Sequence, residues 1–235
     1  MKIYCVWEHN QDDSLIYFDN LTGAYVRGET KEIALSKAEN EAKAYLRWTG
    51  KTIPNQFETE IIQEKESELN ISDADSDVIF ESETGKIDEN EYIKLRNLAL
   101  KSAKDFQKLY DLIPDKNKSA LEKRETFYGA VPITANEMYA HTKNVNSYYF
   151  REIGIIADNE SGIFECRKRG FDLLEKSENY LENKVFDGSY GEMWSLKKVL
   201  RRFIWHDRIH AKAMYKMAIK TFGKGSVEDV FRFEG

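Results

Sequence analysis

The segment RRFIWHDRIHAKAMY carries His206 and His210 four residues apart, on an apolar stripe that also includes Val199, Phe203, Ala213 and Met217. At helical spacing both imidazoles fall on the inward face, one turn apart, with Cβ atoms about 5–6 Å from each other. A third histidine, His141, lies in MYAHTKNVNSYYF on a second stripe of the same period. A lone histidine on a core-facing stripe is ordinarily held by hydrogen bonds. Three on two facing stripes outline a metal site, because helix interiors host ligands from opposed faces. His141, His206 and His210 are the expected ligands.

The rest of the chain is read around that pair of helices. From residue 91 onward the pattern keeps a 3.6-residue period. Tyr92, Leu95, Ala99, Ala103, Phe106 and Ile113 trace a first helix ended by Pro114, and Thr134 with Glu137 forms a capping box opening the second. A third helix is expected from Ile163 to about Lys176 and a fourth from Ser195 to about Thr221. Residues 1–66 alternate differently. Ile3 to Trp7, Ser14 to Phe18 and Ala24 to Arg27 read as strands, followed by a helix from Thr30 to Gly50 and a last strand from Phe57 to Gln63. The expected fold class is therefore α+β: a small ββαβ-type domain at 1–66, an acidic linker at 67–90, and an all-α four-helix bundle at 91–235.

Charge is unevenly distributed. The formal net charge is −6, with a sequence pI near 5.5, which argues against general affinity for nucleic acid. Glu64 to Glu91 holds 11 acids against 2 bases, and Trp194 to Lys220 holds 8 bases against 1 acid. Solvated faces are the expectation for both runs, including Lys198, Arg201, Arg208, Lys212 and Lys216 on the fourth helix. Asp73, Asp75 and Asp77 imitate the start of a calcium loop, but Val78 and Thr84 stand where that loop needs Gly and Glu. Cys5 and Cys166 form no disulfide framework, and no run of apolar residues is long enough for a bilayer. A cytoplasmic protein without membrane association is expected.

Two resemblances attach to these segments. FDNLTGAYVRGETKEIALSKAENEAKAYL followed by GKTIP resembles the HicB antitoxin-like family, with Gly23, Gly28, Thr30, Gly50 and Pro54 matching and Asp19 replacing a proline. Such domains contact a toxin or serve as interaction modules, which implies a protein partner for this half. MYAHTKNVNSYYF, YGEMWSLKKVLRR and WHDRIHA resemble the DinB-like superfamily over most of Glu91 to Phe222. That likeness implies a four-helix bundle, often dimeric, with a divalent metal on His141, His206 and His210. Related branches include thiol-dependent S-transferases.

Three imidazoles with one position open compose a catalytic rather than a structural zinc site. Nickel and iron accept the same donors, so the ion is left as Zn, Ni or Fe. Metal-activated water or a coordinated thiolate would then attack a small-molecule substrate, and a low-molecular-weight thiol is the co-substrate of the transfer chemistry. Glu137, Tyr148 and Arg202 are the further catalytic candidates: Glu137 and Tyr148 lie one to two turns from His141, and Arg202 one turn before His206, where it would hold an anionic group. Asn144 shares the His141 face. Capping, packing and a snorkelling stem explain the same residues without chemistry. HDRIH also approaches the zincin HExxH, with Asp207 in place of the base. The non-enzyme alternative is a binding or regulatory protein acting through residues 1–66, with a structural metal. His9 lies in a turn of that half and is left out of the site.

Overall fold

The computed structural model describes residues 1–73, 75–126 and 129–234. It is a mixed α+β structure. Strands β1 (Lys2–His9), β2 (Ser14–Phe18), β3 (Tyr25–Gly28) and β4 (Glu58–Glu66) form one sheet in the order β3-β2-β1-β4. β1 and β2, and β2 and β3, pair antiparallel; β4 returns parallel to β1. Three strands thus precede the helical crossover where a ββαβ unit has two. The crossover itself is split into α1 (Lys31–Leu35) and α2 (Ala38–Trp48). Ser36 marks the break, its hydroxyl donating back to the Ile33 carbonyl at 2.8 Å and competing with the backbone ladder.

The helical half consists of α3 (Glu89–Leu112), α4 (Ala135–Arg151), α5 (Ile163–Leu174) and α6 (Leu196–Phe222). Each of α3 and α4 packs on both α5 and α6. Their ends are chemically marked. Asp88 caps α3, accepting from the Asn90 and Glu91 amides; Ser195 caps α6; and Gly223, at φ 97°, stops it. No helix among the described residues is long and apolar enough to cross a membrane.

Period-2 alternation gives the sheet two buried faces. Ile3, Cys5, Ile16 and Phe18 share a core with Tyr45 of α2 and with Phe203 and Ile204 of α6. Val6, Leu15, Tyr17 and Tyr25 face Ile71, Val78, Phe80 and Trp205 on the other side. One apolar core therefore runs from the N-terminal sheet into the helices. Gly23 is the closest approach: at φ 88° it lies against Ile204 and the Trp205 backbone, where any Cβ would collide.

The stretch 67–90 is not solvated throughout. Ile71, Val78, Phe80 and Ile87 are buried. Its acids and carbonyls meet the basic face of α6: Arg201 reaches Glu83 and the Val78 carbonyl at 2.9 Å, and Lys198 donates to the Asp77 carbonyl at 2.7 Å. From α2, Glu41 pairs with Arg208 at 2.6 Å. Lys198, Arg201 and Arg208 are buried rather than solvated, and Glu83 is buried with them, whereas Glu64, Glu66, Glu68, Glu81, Asp88 and Glu89 of the acidic run stay exposed. Lys212 keeps 38% of its side chain open while lying 3.7 Å from Glu41, and Lys216 is exposed as the sequence led one to expect.

Candidate metal centre

α4 and α6 bring the three predicted ligands together. Ring centroids lie 5.2 Å apart for His141 and His206, 4.6 Å for His141 and His210, and 4.4 Å for His206 and His210. One nitrogen from each ring lies within 4.8 Å of the others. Bonds of about 2.0–2.1 Å to a tetrahedral ion would draw such nitrogens to about 3.4 Å, a small rotation of each ring. His206 is buried, and its Nδ1 has no hydrogen-bond partner among the described residues. A buried imidazole nitrogen without a partner is costly unless something occupies its lone pair. The donor set fits a divalent transition metal.

The electrostatics keep these donors ready. Burial holds the His206 pKa well below its ordinary value, with further depression from His210, His141, Arg202 and Arg167. Burial and His141 lower His210 to about 3, and burial lowers His141. All three rings are therefore neutral near pH 7, the form that coordinates.

The rings open into a cavity of about 320 Å³ bordered by Arg202, Tyr149 and Trp205, with Arg27 and Asp75 contributed by the N-terminal half. Of the other candidates, Arg202 lines this cavity. Glu137 does not: its carboxylate accepts the Ile133 and Thr134 amides at 2.9 and 3.0 Å, completing the predicted capping box, and the same bonds lower its pKa. Tyr148 packs on Trp194 outside the cavity, and its neighbour Tyr149 faces His206 edge-on at 6.0 Å. Asn144 is exposed and its carbonyl accepts from Asn159. Asp207 is turned away from the cavity into a buried pair with Arg167 and Ser102, so it does not serve as the zincin base. His9 lies 3.2 Å from Glu64 on the sheet.

Arg27, Asp75, Tyr149 and Trp205 are among the cavity residues that sequence reasoning missed as site groups. Asp75 lay in the acidic run set aside as a failed calcium loop; the opposite charge runs were the signal that this segment docks on α6. No family model, curated protein or solved structure matches this chain.

Proposed function

We propose that this chain is a metal-dependent protein of the DinB-like type, its helical half a four-helix bundle holding one divalent transition metal on His141, His206 and His210. The observation that carries the reading is the convergence of three neutral imidazole nitrogens within 4.8 Å at the base of an open cavity. Closed structural zinc sites use four protein ligands, usually cysteines. Here the three rings supply three, neither cysteine lies in the cavity, and room for a small molecule is left beside them. That arrangement favours catalysis over a purely structural metal.

A bound ion at such a centre acidifies a coordinated water or thiol and polarises a substrate bond. The chain's own part is to hold neutral donors and to shape the cavity with Tyr149 and Trp205. Thiol-dependent S-transfer is the leading chemistry and metal-assisted hydrolysis the second; the expected homodimer follows from the same family reading.

The test is elemental analysis of untagged protein purified without chelator or nickel resin, beside His206→Ala. About one equivalent of Zn, Ni or Fe is expected in the wild type and little in the variant, followed by thiol-transfer and hydrolysis assays with the ion found. Metal-free wild type that also takes up none of the three ions would refute the proposal.

A further inference from the structure

Four guanidinium groups lie deep in the protein, and three of them are matched by a carboxylate. Arg167 holds Asp207, Arg201 holds Glu83 and Arg208 holds Glu41, each within hydrogen-bond distance. Arg202 is the exception. Its side chain is 11% exposed, yet the nearest carboxylate oxygen, on Glu192, is 4.0 Å away. Its one hydrogen bond among the described residues is from Nη1 to the Ser76 carbonyl at 3.0 Å. Trp205 lies against it, the guanidinium carbon 4.8 Å from the ring centroid. A buried cation of this kind is costly unless an anion meets it.

Arg202 lines the three-histidine cavity, whose lining also includes the apolar Val131, Pro132, Met138, Ile209 and Ala213. Three neutral imidazoles contribute no negative charge to offset a divalent ion. Asp75 is the only lining acid without an ion pair, since Asp73 is engaged by Arg124 at 3.0 Å. The cavity thus combines a surplus of positive charge, a fork suited to a planar two-oxygen acceptor, and a greasy wall.

From this we infer that the cavity binds a small organic acid with an apolar body, its carboxylate held by Arg202 and its body against the Met138 and Ile209 wall. The inference names the substrate class for the metal centre proposed above and rests on that reading for its catalytic meaning. It makes Arg202 a recognition residue. The sheet half contributes Arg27 to the same cavity, giving residues 1–66 a part in selecting the ligand.

Calorimetric titration of the full chain, loaded with Co²⁺ and in parallel metal-free, tests this with benzoate, acetate and neutral benzamide as probes. Benzoate should bind more tightly than either of the others. Arg202→Gln should weaken benzoate about tenfold or more with cobalt content unchanged, and Arg202→Lys should fall between, because a point charge replaces the fork. Ile209→Ser, at a partly open position, should weaken benzoate and spare acetate, which keeps the test decisive if the glutamine variant does not fold. Equal binding of benzoate and benzamide, or benzoate affinity indifferent to both Arg202 variants, overturns the inference. Failure to load cobalt, zinc, nickel and iron alike refutes the metal centre alone if the metal-free chain still binds benzoate through Arg202, and both readings if it does not.

Discussion

Asp207 and His206 are adjacent on α6, and the helix treats them in opposite ways. Asp207 points into the packed interior, where Arg167 and Ser102 satisfy it; Arg201 and Arg208, on the flanks that meet the acidic segment and α2, are matched by Glu83 and Glu41. His206 and Arg202 line the cavity: His206 Nδ1 has no partner among the described residues, and Arg202, bonded to the Ser76 carbonyl, has no carboxylate oxygen nearer than 4.0 Å. Where α6 serves the fold, its buried charges are neutralised by the chain. Where it faces the cavity, polar atoms remain for a ligand. Pairing, rather than burial, separates structural from functional polarity on this helix.

The sharpest way to break that contrast is Asp207→Ala. It strands the fully buried Arg167, so a loss of about 3–5 kcal/mol is expected. At this chain length that corresponds to a fall in Tm of roughly 6–20 °C. His206→Ala in the metal-free protein removes no protein partner and should cost far less. Thermal melts of the two metal-free variants decide the matter, and equal losses would mean that the cavity face is structural too.

Glu83→Ala probes the docked acidic segment. Arg201 would keep only the Val78 carbonyl, and a loss of about 2–4 kcal/mol is expected by urea denaturation, less than for Asp207 because a segment can shift where a helix core cannot. A change under about 0.5 kcal/mol would restore the picture of a solvated linker. This is also the part of the fold that the sequence concealed. Helices announced themselves by period, by the Thr134 and Glu137 box and by Pro114, and the histidines shared those stripes. Ile71, Val78, Phe80 and Ile87 follow no period, and their acidic neighbours lowered the local hydropathy. Their burial depends on partners in α6 more than a hundred residues later, such as Arg201 for Glu83. The pairing of Asp207 with Arg167, 40 residues apart, was hidden for the same reason.

Acid titration separates the two faces more gently. The native pKa values of His206 and His210 are depressed, so between about pH 6.5 and pH 3 the unfolded chain binds protons that the native chain does not. Stability from these groups is present above pH 6.5 and is lost as pH falls through that window. At pH 5.5 the loss should be about 1 kcal/mol per histidine. The double variant His206→Ala with His210→Ala should flatten the pH dependence of urea midpoints measured on metal-free protein. An unchanged slope would show that the rings are solvated in the native state and not held neutral by burial.

Glu137 gives the smallest effect and tests the boundary of the site. Its carboxylate receives the Ile133 and Thr134 amides at the exposed start of α4, one turn from His141. If pairing marks structure, this residue belongs to the helix end despite its closeness in sequence to a proposed ligand. Glu137→Ala should cost about 0.5–1 kcal/mol, the ordinary value of a cap, and leave metal content at the wild-type level. His141 is fixed by α4 as a whole, through Met138, Tyr149 and Phe150 in the core, so fraying of the first turn does not displace it. Loss of metal in Glu137→Ala, without a comparable loss of stability, would bring the carboxylate into the coordination sphere and break the rule that a satisfied side chain has only a structural task.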